Sequence, residues 1–161
     1  MQSISQRGDR ANLRLERDHL ECDTLWGRQR DDNRLLVIID RKSRYVRLGL
    51  FKKTAVATAM GAKALLKGSR FKTLTCDRGG EFARLPQFFK DKLFVCHAYR
   101  ADERGSCENV NRGRPHPLRN TLRSTALADS SYLNAAFYAL APMKHSVPLK
   151  AVTSSTPLLA L

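Results

Sequence analysis

A chain of 161 residues with 42% apolar content is long enough for one domain with its own core, which excludes wholesale disorder. Its 29 Lys and Arg against 15 Asp and Glu leave a net charge of +14, which points to a polyanionic partner, nucleic acid first. The four cysteines form no CxxC pair, so a zinc centre is disfavoured; no signal peptide or apolar run of membrane length is present, and a reducing cytoplasm is the expected compartment.

Residues 1–18 are polar and Arg-rich and read as a basic N-terminal arm. Residues 19–26 (HLECDTLW) are predicted to form a first strand with Asp23 near its middle. A charged turn follows at 27–33, then Leu35 to Ile39, a continuous apolar run typical of a strand covered on both faces. Asp40 to Arg44 makes a tight turn, and Tyr45 to Leu50 alternates as a half-buried strand does. The three strands are expected to form an antiparallel meander. Thr54 caps a predicted helix to about Leu66, with Gly68 as its stop. Phe71 to Thr75 is a fourth strand, residues 86–92 a short helix opened by Pro86, and Leu93 to Cys96 a fifth strand. A helix is expected after Glu108, against the opposition of Gly113, Pro115 and Pro117, and another over 126–141. Helices between strands imply a mixed sheet with helices on its faces.

Three acids carry the chemistry: Asp23 in ECDTLWG, Asp77 in TCDRGGEF and Glu108 in ERGSCENVN. Taken singly, they read as a strand-edge acid, a turn cap and a surface residue. Gathered by folding, they suit a hard divalent cation such as magnesium, which takes one or two carboxylates plus substrate phosphates. On a chain this basic, that pattern points to metal-assisted chemistry on a nucleic-acid phosphodiester. Cys22, Cys76 and Cys107 directly precede the three acids. Neighbours in a strand face opposite ways, so Cys22 and Cys76 are expected to be buried structural thiols behind acids that face a cleft. Asp40 is assigned a structural turn role. His97 either orients a metal ligand, contacts phosphate or is a structural loop residue. Arg28, Arg30 and Arg34 at the first hairpin, Arg41, Lys42, Arg44, Lys52 and Lys53 near the second, and Arg78 and Arg104 beside the acidic motifs are candidates for DNA phosphate contacts.

The stretches ECDTLWG, LLVIIDRKSRYVRL, KTAVAT, KTLTCDRGGEFA and HAYRADERGSCENVN, in this order, resemble the catalytic core of bacterial DDE transposases of the insertion-sequence-thirty family. That family falls within the retroviral-integrase-like, RNase H-fold enzymes. The resemblance spans residues 16–111. It implies an α/β, RNase H-like fold, a five-stranded mixed sheet flanked by helices, as an integrase-like core over 19–111. It implies Asp23, Asp77 and Glu108 as ligands of two Mg2+ or Mn2+ ions, about 3.5–4 Å apart, that stabilise the attacking and leaving oxygens of an in-line displacement. Gly79 and Glu81 would belong to the turn after the second Asp, His97 and Tyr99 to the loop after the fifth strand, and Asn109 and Asn111 would follow the Glu as supporting residues. The implied partner is double-stranded DNA, as element ends and target, cut and joined by a homo-oligomer in the bacterial cytoplasm, on the nucleoid when bound.

The chain departs from that pattern in places. Arg78 stands where the family usually has Asn, Ala98 replaces a proline, and Asp102 stands in a common Trp position. The second and third acids are separated by 30 residues, a few fewer than usual. Past Asn111 no match is found, and residues 112–161 hold 6 of the Lys and Arg but 1 of the acids. This divergent C-terminal segment fits a shifted reading frame or a decayed gene, and the helix-turn-helix region that the family carries ahead of its core is not found. Two alternatives to an active transposase core therefore stand: a remnant that binds DNA without catalysis, and an RNase H-like nuclease that cuts without joining.

Overall fold

The computed structural model describes residues 2–26, 32–97 and 150–153. Within them, seven strands form one sheet: β1 (Gln2–Ser3), β2 (His19–Trp26), β3 (Asn33–Asp40), β4 (Val46–Lys52), β5 (Thr73–Cys76), β6 (Leu93–Val95) and β7 (Lys150–Thr153). Their spatial order is β1-β6-β5-β2-β3-β4-β7. β2, β3 and β4 pair antiparallel, while β5 pairs with β2 and β6 with β5 in parallel. The five strands read from the sequence form the middle of this sheet, and short parallel strands β1 and β7 add one edge each. The expected helices after Glu108 and over 126–141 lie outside the described residues.

A one-turn helix, α1 (Asp9–Asn12), precedes β2, and one face of the sheet packs on α2 (Ala55–Leu66), which forms the crossover between β4 and β5. Thr54 starts this helix: its Oγ1 accepts from the Ala57 amide at 3.1 Å, satisfying a donor that has no partner in the first turn. Gly68, at φ +74°, turns the chain away after the helix ends. Leu20, Cys22, Leu36, Ile38, Leu74 and Cys76 meet Ala59, Ala62, Leu65 and Leu66 in the core below. The Phe51 ring lies against Gly49 of β4 and Gly61 of α2, where an added Cβ would sit 2.3 and 2.6 Å from ring carbons. Helix and sheet approach this closely because both positions lack a side chain.

The opposite face carries a buried polar network, and here the N-terminal residues do more than an arm would. Ile4, Arg7 and Ala11 are buried. Arg7 donates to Thr75 Oγ1 of β5 at 2.7 Å and to Asn12 Oδ1. Arg41 forms an ion pair with Glu21 of β2 and donates to the carbonyls of Ala11 and Asn12. Residues 4–12 are thereby fastened to the centre of the sheet. Asp40 closes the β3–β4 turn: its Oδ1 accepts from the amides of Lys42 and Ser43, and its Oδ2 from the Asp18 amide at 2.6 Å.

The side chain of Glu21 is fully buried and that of Arg41 6% exposed, so removing one partner strands a charge in low dielectric. Glu21→Gln is expected to lower unfolding stability by about 3 kcal/mol in urea titrations; a change below about 0.5 kcal/mol would show that the pair is not held as described. His19 adds a pH dependence. Burial lowers its pKa below the ordinary 6.5, aided by the charges of Lys72 and Arg7 and opposed by Glu16. A lowered imidazole pKa means that the unfolded chain takes a proton the folded one refuses. Stability is therefore present above about pH 6.5 and is lost as the pH falls through and below it. The melting temperature of His19→Gln should fall less than that of the parent chain between pH 7 and 5.5, and parallel curves would contradict this.

Candidate functional site

The parallel register between β2 and β5 sets the site. His19, Leu20 and Glu21 lie opposite Thr73, Leu74 and Thr75. Side chains alternate along a strand, so Asp23 shares the face of Glu21, and Asp77, just past the end of β5, continues the face of Thr75. The pairing ends at Glu21 and Thr75, and the same offset continued two residues on would bring Asp23 level with Asp77. Both carboxylates are half-buried, whereas the preceding Cys22 and Cys76 are fully buried on the α2 face. The two expected inward thiols are thus where the alternation put them. The Cys22 thiol is pushed well above its ordinary pKa by burial, and also by Cys76, Asp23, Asp77 and Glu81, so it is a protonated packing group.

Asp77 sits beyond the carboxyl end of a parallel strand, the place where open α/β sheets hold their ligands. Its turn is tight. Asp77 Oδ1 accepts from the Gly79 amide at 2.8 Å, and the Gly79 carbonyl accepts from the Phe82 amide at 3.0 Å. Asp23 Oδ1 accepts from the Thr24 amide at 2.8 Å. Beside Asp77 opens a cavity of about 390 Å³, lined by Gln2, Ser3, Arg78, Gly79, Gly80 and Phe82 among others. Arg78 is exposed at its rim, its Nε donating to the Cys96 carbonyl at 3.3 Å. His97 is also exposed and lies over the N-terminal residues, with Nε2 3.3 and 3.1 Å from the hydroxyls of Ser3 and Ser5.

Asp23 and Asp77 are hard oxygen donors of the kind magnesium needs, and two carboxylates suffice when substrate phosphates complete the shell. Among the described residues, no group of three or more His, Cys, Asp or Glu is placed to hold a metal ion. Glu108, the third expected ligand, lies outside the described residues, as do Tyr99, Arg104, Asn109, Asn111, Arg28 and Arg30.

Two arginines assigned to DNA contacts do something else. The Arg41 side chain is buried in its pair with Glu21, which leaves it no surface to offer a phosphate. Arg34 is largely covered and pairs with Glu81 at 3.4 Å. Lys42, Lys52 and Lys53 are exposed, and Arg44 is half-buried in the β3–β4 turn at φ +62°. Sequence reasoning missed Glu21 as a structural acid. Its only signal was the alternation that puts it on the face of Asp23; that this position is buried and needs a cation comes from the fold. The reach of Glu81 back to β2 had no comparable signal.

No known family profile matches the chain. A curated relative, the probable transposase for insertion-like sequence element IS1161 of Streptococcus salivarius, is 31% identical over 111 residues, 68% of this chain. The chain spans about a third (32%) of that relative's length. Among solved structures, the catalytic core domain of BIV integrase superposes with a TM-score of 0.56 at 16% identity, covering 81% of this chain and 87% of that one. The catalytic core domain of HTLV-2 integrase, solved in complex with magnesium, gives 0.52 at 20% identity, covering 78% and 84%. A mixed sheet with this strand order, backed by α2 and joined to these superpositions, gives the chain the RNase H-like fold of retroviral integrase catalytic cores.

Proposed function

We propose that this chain is the catalytic core of a DNA transposase, which cuts DNA at the ends of an insertion element and joins it to a target. The observation that supports this reading most is the parallel register of β2 with β5, whose continuation would bring Asp23, midway along β2, level with Asp77, just past the end of β5. The transposase relative and the integrase-core fold give that placement its chemical context. Asp23, Asp77 and Glu108 are the proposed ligands of two Mg2+ or Mn2+ ions, a use consistent with the magnesium complex of the HTLV-2 core. Such ions, when bound, polarise the phosphodiester and stabilise attacking and leaving oxygens.

The chain's own residues then have distinct tasks. Asp23 and Asp77, each with one oxygen held by a backbone amide, present their carboxylates in fixed orientation. Burial of Cys22 and Cys76 behind them keeps water out of the sheet beneath the site. The cavity beside Asp77 has room for part of a nucleotide, and Arg78 at its rim supplies a cation for a neighbouring phosphate. Lys42 in the β3–β4 turn, and Lys52 and Lys53 at the opposite end of that hairpin, are exposed cations that would hold the duplex backbone without reading its sequence. Among the described residues no helix is long and apolar enough to cross a membrane. The proposed setting is the bacterial nucleoid, with the chain working as a homo-oligomer on double-stranded DNA.

The test is a magnesium-dependent assay on labelled DNA carrying insertion-element ends. Asp77→Asn is expected to reduce turnover at least a hundredfold while DNA affinity changes by less than about threefold, because phosphate contacts rather than the acids supply affinity. Joined products support a transposase and cutting without joining supports a nuclease. Binding with no turnover supports a non-catalytic DNA-binding remnant. Unchanged turnover in Asp77→Asn would remove Asp77 from the site.

A further inference from the structure

We propose that Glu81 is a positioning residue that sets the spacing between Asp23 and Asp77 for metal binding; the inference rests on the functional reading above. Glu81 lies in the short 3-10 turn after Asp77, yet its carboxylate leaves that turn and reaches the central strands. Its Oε1 accepts from the hydroxyl of Thr24 at 3.0 Å and meets Arg34 of β3 at 3.4 Å. Thr24 directly follows Asp23 and supplies the amide that holds Asp23 Oδ1. One side chain therefore ties the turn that carries Asp77 to the strand that carries Asp23.

Gly79 shows how closely this tie passes the second acid. A Cβ built on Gly79 would lie 2.5 Å from Glu81 Oε2 and 2.9 Å from Asp77 Oδ1. The two carboxylates thus crowd into the space that residue 79 leaves open by having no side chain. Two like charges this near repel unless something holds them. Arg34 and the Thr24 hydroxyl hold Glu81 on its far oxygen, which keeps the Asp77 turn from springing outward. This contact is invisible in a strand-by-strand reading, since Glu81 and Thr24 are 57 residues apart.

Groups behind metal ligands typically change metal affinity by about 10–100-fold when removed. The test is the magnesium concentration that gives half-maximal thermal stabilisation of the intact chain without DNA, read for Glu81→Ala, Glu81→Gln, Thr24→Val and Asp77→Asn. Glu81→Ala should raise that concentration roughly tenfold, Thr24→Val should raise it in the same direction, and Glu81→Gln should restore much of the loss because an amide oxygen still accepts from Thr24. If Glu81→Ala does not fold, Thr24→Val and Glu81→Gln decide. Values for Glu81→Ala or Thr24→Val within twofold of the parent, with the response abolished by Asp77→Asn, overturn the positioning role alone. Glu81→Gln as damaging as Glu81→Ala also overturns it, because the carboxylate charge itself would then be what the metal needs. A parent chain without a magnesium response, or a response that survives Asp77→Asn, overturns the functional reading beneath it.

Discussion

The parallel pairing of β2 with β5 is the constraint on which the rest of the site depends. A slip of one residue would flip every side chain of one strand to the other face. Asp23 would then point into the α2 core and Cys22 into the cleft. The register is held because both faces are specified. On one side Leu20, Cys22, Leu74 and Cys76 belong to the apolar core. On the other, Glu21 needs Arg41 and Thr75 accepts Arg7. A wrong register would bury acids without partners and expose apolar side chains, so the two penalties act together.

The buried network on the second face also explains why the N-terminal residues are part of the domain. Residues 4–12 bring Arg7 to β5 and offer the carbonyls of Ala11 and Asn12 to Arg41. Both arginines bond to the strands that lead to the acidic pair, Arg41 to Glu21 of β2 and Arg7 to Thr75 of β5. They replace solvent with fixed donors under the site, which stiffens the platform that carries Asp23 and the Asp77 turn. The first strand then adds Gln2 and Ser3 to the cavity beside Asp77. Stability and the candidate site draw on the same few polar contacts.

The middle of the sheet was legible in the sequence for physical reasons. The continuous apolar run Leu35 to Ile39 read as a strand covered on both faces, and the structure buries all of it. The Thr54 cap and the Gly68 stop bounded α2 because an amide and a positive φ have few ways to be satisfied. The alternation of Cys22 with Asp23 told which way each faced. Long-range polar contacts were not legible. Arg41 and Arg34 read as DNA contacts because each stands in a basic cluster. Only the fold brings Glu21 and Glu81 to them. Nor were β1 and β7 read, since Gln2–Ser3 is only a polar pair and the tail that holds Lys150–Thr153 shows no pattern that bounds a strand.

The central claim is that Asp23 and Asp77 serve one shared metal site. A manganese-binding titration of the parent chain, Asp23→Asn, Asp77→Asn and the double variant tests it most directly. The account predicts that each single substitution removes most of the affinity and that the double variant is little worse than either, because both break the same site. Losses that simply add would place the two carboxylates at independent sites and contradict it.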